Sequence, residues 1–226
     1  MEKGAPKKET KQKIFQTAIH LFARRGYDAV GIREIAKTAG VQISMINYYF
    51  EGKVGILREI VNETYRMYFE TILSIGDESV ALEQRMKTLV KNMVDFFRFN
   101  TELTIVGISA MPLDIPEIAD LRIKWVTENR ASLNRLFSEM GLDIKDDIKM
   151  SVVRSFLTNV IFGHFEGKYS WDLIINAPAK PKLLPKLEEI NAGCRVSEDD
   201  FYRQYADTLA TFYINGIKSI AAQDNK

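Results

Sequence analysis

Apolar residues recur at helical spacing along nearly the whole chain, and the strict alternation that a half-buried strand needs is missing. The first stripe is Ile14, Ala18, Leu21 and Phe22, with Phe15 beside it. It predicts a helix over Glu9 to Arg25, which Gly26 stops. Ile32, Ile35, Ala36 and Ala39 predict a second helix over about Ile32 to Thr38, with Gly31 as a second-rate N-cap. A third, short helix is expected over Gln42 to Tyr49. A fourth starts near Lys53 and runs past Tyr68 on Val54, Leu57, Val61 and Tyr65, until Ser74 to Ser79 breaks the pattern. Ala81 to Asn100 reads as a fifth helix and Glu102 to Met111 as a short sixth, interrupted by "MPLDIP" because proline disfavours helix in the residue before it. Pro116 suits the first position of a seventh helix that reaches Met140 and ends at Gly141. An eighth is expected over Asp146 to Phe165, then a loop with three prolines between Asn176 and Lys186. Ser197 with Asp200 approximates a capping box, opening a last helix that runs to about Ala222. The pattern therefore predicts an all-α fold of about nine helices, with no internal repeat.

The third helix is unusual for its length. Two short helical patterns meet at Gly40, and a residue with positive φ is easiest as glycine, so the pair reads as a helix-turn-helix. Ile35, Ala36, Val41, Ile46 and Phe50 can form an inner face with Phe15, Ala18 and Phe22. That arrangement leaves Gln42, Ile43, Ser44, Met45, Asn47 and Tyr49 toward solvent. Glutamine and asparagine can pair two-pronged with adenine edges, and Ile or Met can meet a thymine methyl. Tyr49 and Lys53 can reach phosphates, and Arg33 and Tyr48 complete the candidate set for duplex contact.

Charge sharpens this picture. The chain's formal net charge is +1, but residues 1–58 hold 11 Lys+Arg against 5 Asp+Glu, while the remainder is net acidic. A basic end on a near-neutral protein favours a polyanion there. A solvated tail is the alternative, because Lys3, Lys7 and Lys8 precede the first expected helix. Hydrophobic residues make up 46% of the 226, enough for a sizeable core. One cysteine, Cys194, permits no internal disulfide, and the N-terminus shows no apolar run of signal-peptide type. Both point to a cytoplasmic setting. No stretch approaches 18 uninterrupted apolar residues, so no membrane span is expected.

At this point the order of residues resembles a known family. "IFQTAIHLFARRGYDAVGIREIAKTAGVQISMINYYFEGKVGIL" is similar to the N-terminal DNA-binding domain of TetR-type transcriptional regulators. The markers are an aromatic-rich first helix ending in Arg-Gly-Tyr, then "REIAKTAGV", an aromatic pair with Phe50, and Lys53 followed by an apolar pair. The resemblance covers roughly Lys11 to Ile60. It implies a recognition helix set in the major groove, base reading at Ile43, Ser44 and Met45, and phosphate contacts at Tyr49 and Lys53. Gly31 stands where the family usually has Thr or Ser, which removes a cap and a phosphate contact. Asn47 stands where tyrosine is commoner. The expected division is 1–55 for the tail and DNA-binding domain and 56–226 for a helical effector-binding and dimerisation domain.

The resemblance further implies a homodimer whose last two long helices pair across a two-fold axis. Such a dimer presents two recognition helices about 34–36 Å apart to a near-palindromic operator in double-stranded DNA. Val152, Phe156, Val160 and Gly163 form one line on the eighth helix. Phe201, Tyr205, Leu209, Phe212 and Gly216 form another on the last. These residues are the candidate dimer face, with packing inside one subunit as the alternative. A cavity for an unknown small-molecule effector, apolar or aromatic, would lie among the fifth to eighth helices. Its candidate liners are Met93, Phe97, Trp125, Phe156 and His164, each equally an ordinary core residue. Trp171 and the proline-rich loop could form a lid or be a surface excursion.

Other chemistry finds little footing. Two histidines, His20 and His164, and one cysteine give no zinc spacing, and no phosphate-cradling glycine loop or hydrolase motif occurs. No metal, cofactor or catalytic residue is expected, and Asp146-Asp147 and Asp199-Asp200 suit helix starts. The expected function is a DNA-binding regulator, a repressor released by its effector. The alternatives are a DNA-binding structural or interaction protein on the same fold without a small-molecule ligand, and, more remotely, an enzyme of unrecognised type.

Overall fold

The computed structural model describes residues 5–179, 181–182, 184–185 and 197–222. Lys3 and residues 186–196, Cys194 among them, lie outside the described residues, as does part of the proline-rich loop. The helices are α1 (Ala5–Arg25), α2 (Ile32–Ala39), α3 (Ile43–Phe50), α4 (Lys53–Leu73), α5 (Leu82–Phe99), α6 (Thr101–Thr104), α7 (Pro116–Glu139), α8 (Asp147–Ile175) and α9 (Glu198–Ala221). No strand occurs among the described residues, and no described helix is long and apolar enough to cross a membrane.

Three expectations change. Lys7 and Lys8 lie on α1, not ahead of it, so they are not part of a loose tail. The sixth helix is only four residues long and passes into a π-helical turn at Ile105–Ser109. The eighth helix continues ten residues past Phe165, because Gly167 costs a helix only about 1 kcal/mol and does not end it. Trp171 is consequently on a helix and half exposed, not on a lid loop.

The fold divides into two compact units. One unit is Met1–Phe69 with Asn100–Asn129, the other Glu70–Phe99 with Arg130–Lys226. In the first unit, α1 lies under α2 and α3 and against α6. Ile14, Ala18, Ile19 and Phe22 from α1 are buried with Val30, Ile35, Ala39, Ile46 and Phe50. Full burial of a Phe or Ile side chain stabilises by about 1.5–3 kcal/mol, so these few anchors hold the short helices in place. The fully buried Thr64 donates its hydroxyl to the Ile60 carbonyl at 2.8 Å and lies 3.3 Å from the Leu103 carbonyl. Trp125 stacks on Phe69 and donates its indole N–H to Asn62 at 2.9 Å.

In the second unit α5 is the central helix and packs on both α8 and α9. Met86, Val90, Met93 and Phe97 on α5, Val153, Leu157 and Ile161 on α8, and Tyr202, Ala206, Leu209 and Tyr213 on α9 are all buried. The α9 start is half of a capping box, with Ser197 as the N-cap. Ser197 accepts from the Asp200 N–H at 3.2 Å and donates to its carboxylate at 2.8 Å. Asp146 caps α8 by accepting from the Lys149 N–H at 2.9 Å, and this bond holds its carboxyl below the usual carboxylate range. Asp146 is thus an N-cap, whereas Asp199 and Asp200 lie in the first turn of a helix that Ser197 caps.

Candidate nucleic-acid interface

The short helix α3 is built by its two ends. Helix α2 stops at Gly40, whose φ of 63° and ψ of 39° place it in the left-handed region that glycine enters without a Cβ penalty. The Gly40 and Val41 N–H groups donate back to Lys37 and Ala36, a glycine-based helix termination. Two residues later Gln42 caps α3 through its backbone only. Glu51 ends α3 with φ of 61°, the single described non-glycine residue in the left-handed region. Gly31 caps α2 without a side-chain hydrogen bond, as the missing Thr or Ser implies.

Gly55 fixes how α3 meets α4. A Cβ at this position would lie 1.5 Å from the Phe50 carbonyl oxygen and 2.7 Å from its carbon. The first turn of α4 therefore sits against the end of α3 at a distance only glycine allows. The sequence shows Gly55 in the family-like stretch, but nothing local marks it, because the demand comes from a neighbouring helix.

Arg58 adds a second tie. Its guanidinium donates to Glu51 at 2.9 Å and to Glu117 at 2.7 Å, and these two hydrogen bonds raise its pKa further. It joins the α3 C-cap to α4 and α7 within the first unit. All three side chains are well exposed, so the stabilisation is modest, about 0–1 kcal/mol for each pair.

Helix α3 has one sealed and one open face. Ile46 and Phe50 are buried, whereas Gln42, Ile43, Ser44, Asn47 and Tyr48 are exposed. Met45 is half-buried, less open than expected. Tyr49 departs further from the expectation of a solvent-facing phosphate contact. Its hydroxyl is sealed from solvent with no hydrogen-bond partner, and its ring meets Tyr48 and Phe50 edge-on at 5.0 and 6.5 Å. A phosphate contact from Tyr49 requires the ring to turn out, which would relieve the uncompensated buried hydroxyl.

Lys53 lies with its ammonium 3.8 Å from the centre of the Tyr27 ring and 6.0 Å from that of Phe22. Partial burial pushes its pKa down, against the attraction of Asp28. The amine makes no ion pair within 4 Å among the described residues, which suits a cation held ready for an external anion. The structure also sorts the basic residues near α3. Lys11 pairs with Glu59, Arg25 with Glu34, and Arg58 with two glutamates. Lys13, Arg33 and Lys37 have no carboxylate partner among the described residues, and all three are exposed.

The other candidates are distributed differently from the sequence expectation. Met93 and Phe97 are fully buried in packed core, Phe97 against Phe96 and Phe162. Trp125 belongs to the first unit, stacked on Phe69. Phe156 stacks on Phe212 and Tyr213, and His164 sits among Phe165, Phe201, Tyr202 and Tyr205. Within the second unit, Met93, Phe97, Phe156 and His164 are thus each held among side chains of their own unit. A cleft of about 130 Å³ in the second unit is lined by none of them.

On the candidate dimer face Val152 is 53%, Phe212 65% and Val160 37% exposed, and Gly163 and Gly216 face open space. Phe156, Phe201 and Tyr205 are half-buried. Leu209 is a correction: it is buried with Ala206, Tyr213 and Ile217 inside its own unit. The aromatic line on α9 mixes two faces, because α9 is apolar on both.

Comparison with known proteins agrees with this geometry. The family model described as bacterial regulatory proteins, tetR family, matches residues 14–60. The chain is 37% identical over 139 residues to the HTH-type transcriptional regulator BetI of Vibrio campbellii, covering 61% of this chain and 69% of that protein. It is 24% identical over 114 residues to IcaR, the negative transcriptional regulator of the biofilm operon icaADBC in Staphylococcus epidermidis, covering 50% and 59% respectively. Of three curated relatives, IcaR among them, the chain spans only 65%, 32% and 59% of their length. Among solved structures, the ketosteroid transcriptional regulator KstR2 of Mycobacterium tuberculosis superposes with a TM-score of 0.62 over 91% of this chain and 93% of that one, at 14% identity. These relatives are transcriptional regulators, not enzymes. The chain belongs to the TetR family of bacterial DNA-binding transcriptional regulators.

Proposed function

We propose that this regulator is a homodimeric repressor that reads a near-palindromic operator with α3 and leaves it when a small apolar or aromatic effector binds. The observation that carries the DNA-reading part is the two-sided α3. Ile46 and Phe50 lock it down, while Gln42, Ile43, Ser44 and Asn47 stand exposed on one short helix. Ser44 and Asn47 offer hydrogen bonds to base edges, and Ile43 offers a methyl contact. Lys53, Arg33 and Lys37 supply cations for the phosphates, and Tyr48 is exposed on α3 for a further contact.

The dimer reading is supported by the exposed Val152, Val160 and Phe212 and by the two open glycines on α8 and α9. Repression follows the direction named for IcaR. A coupling of about 1–3 kcal/mol between effector and operator suffices for release. A second reading, with a protein partner in place of a small molecule, draws on the packed surroundings of Met93 and Phe97.

Selection of bound duplexes from a random pool tests the first reading. The expected product is a pair of inverted half-sites about one helical turn apart. Recovery of no preferred sequence at low salt removes the base-reading role of α3. A screen for small molecules that release the selected duplex then separates the two readings.

A further inference from the structure

Where α4 ends and α5 begins, the second unit holds the cleft of about 130 Å³. Its walls are partly apolar. Ile72, Ile75 and Leu136 are buried there, and Leu73 is half exposed. A dry cavity of about 150 Å³ accommodates a molecule the size of benzene, so the space suits one small ring or a short branched chain.

The same cleft carries charge. Arg85 is only 9% exposed, and two bonds fix its guanidinium. Its Nε donates to the Ile75 carbonyl and one terminal nitrogen donates to Glu139, each at 2.8 Å. The other terminal nitrogen has no partner among the described residues and is not sealed from solvent. Arg135 and Glu78 also line the cleft, and neither has an ion-pair partner among the described residues. Glu139 neutralises Arg85, so Arg135 is the cation left for a ligand. A fixed guanidinium with a free N–H edge and a second arginine lining the same cleft match a carboxylate, whose two oxygens can accept from both. Glu78 and Glu139 would repel a second negative charge on the same ligand.

We propose that this cleft binds a small monocarboxylate with an apolar or aromatic body, held by Arg135 and the open edge of Arg85. As the effector site it rests on the ligand-responsive reading above, whereas binding itself rests on the cleft alone. Benzoate is the probe, measured by calorimetry on the full chain, with benzamide as the neutral isostere and phthalate as the dianion. Saturable benzoate binding is expected, with benzamide and phthalate weaker by about tenfold or more. Arg135→Gln should weaken benzoate by a similar factor while leaving the melting temperature of the free protein unchanged. Equal binding of the three probes, no saturable benzoate binding, or an unaffected Arg135→Gln variant overturns the proposal. Operator affinity measured in the same samples keeps the two claims apart. Benzoate binding that Arg135→Gln abolishes but that leaves operator affinity unmoved upholds the cleft and removes this ligand class as effector.

Discussion

Gly55→Ala sets two effects of opposite sign against each other. Alanine is the better helix former by about 1 kcal/mol, so at an open helical site the exchange stabilises. At Gly55 the new methyl would lie 1.5 Å from the Phe50 carbonyl oxygen, about 2 Å inside the ordinary 3.4 Å contact, and the obstacle is backbone, which cannot rotate away. The end of α3 or the start of α4 must move by a comparable amount. Overpacking typically costs about 1–3 kcal/mol, and a backbone obstacle that cannot rotate away puts this site in the upper part of that range, about 2–3 kcal/mol, so the loss should exceed the propensity gain. A recognition helix displaced by more than about 0.5 Å also loses aligned hydrogen bonds to base edges. The expected result is a net loss of about 1–2 kcal/mol in urea unfolding and a larger loss in affinity for the selected duplex, read by fluorescence anisotropy. Gly167→Ala on α8 is the control. No atom of the described residues beyond its own helical turn lies within 4 Å of its new methyl, so stability should rise or hold, with DNA affinity unchanged. If Gly55→Ala behaves like the control, the close approach of α3 and α4 is not a constraint and the reasoning fails.

Lys53→Ala should weaken binding to every duplex alike and lower the slope of log affinity against log salt by about one unit; an unchanged slope takes Lys53 off the phosphate list. Phe212→Asp places a charge at a ring that is 65% exposed in the protomer. Sedimentation should show monomers with undiminished helicity, and a dimer of unaltered affinity would move the interface elsewhere. His164 is half-buried among aromatic rings with Tyr202 Oη at 3.4 Å, and desolvation first, then Lys168, lower its pKa below 6.5. The unfolded chain therefore binds more protons between the folded-state pKa and about 6.5, so stability is full above about pH 6.5 and falls as pH drops through that window. His164→Gln should flatten the fall in thermal unfolding followed by circular dichroism, and an unaltered pH profile would refute the assignment.

Much of the fold is legible because punctuation is local. Gly26, Gly40, Pro116, Gly141 and Ser197 each act on their own few residues, so helix ends are set by nearby backbone chemistry. The inward stripe of the helix-turn-helix is equally local, and Ile35, Ala36, Ile46 and Phe50 are buried as their spacing implies. The ligand candidates were not legible in this way. Met93 and Trp125 are large apolar residues on helices, and their identity does not say whether the neighbouring space is full.

The amino-acid order alone determined the helices, the tight turn at Gly40 and the chemical character of the α3 face, because each depends on residues within one or two turns of each other. Tertiary structure decided which stripe of the two-sided α9 is inward, so Leu209 is core while Phe212 is open. It also turned the Tyr49 hydroxyl inward, seated Lys53 on Tyr27, and made Gly55 the residue that only glycine fits. Periodicity names the residues that share a face, but only the packed neighbour, often distant in sequence, determines what that face meets.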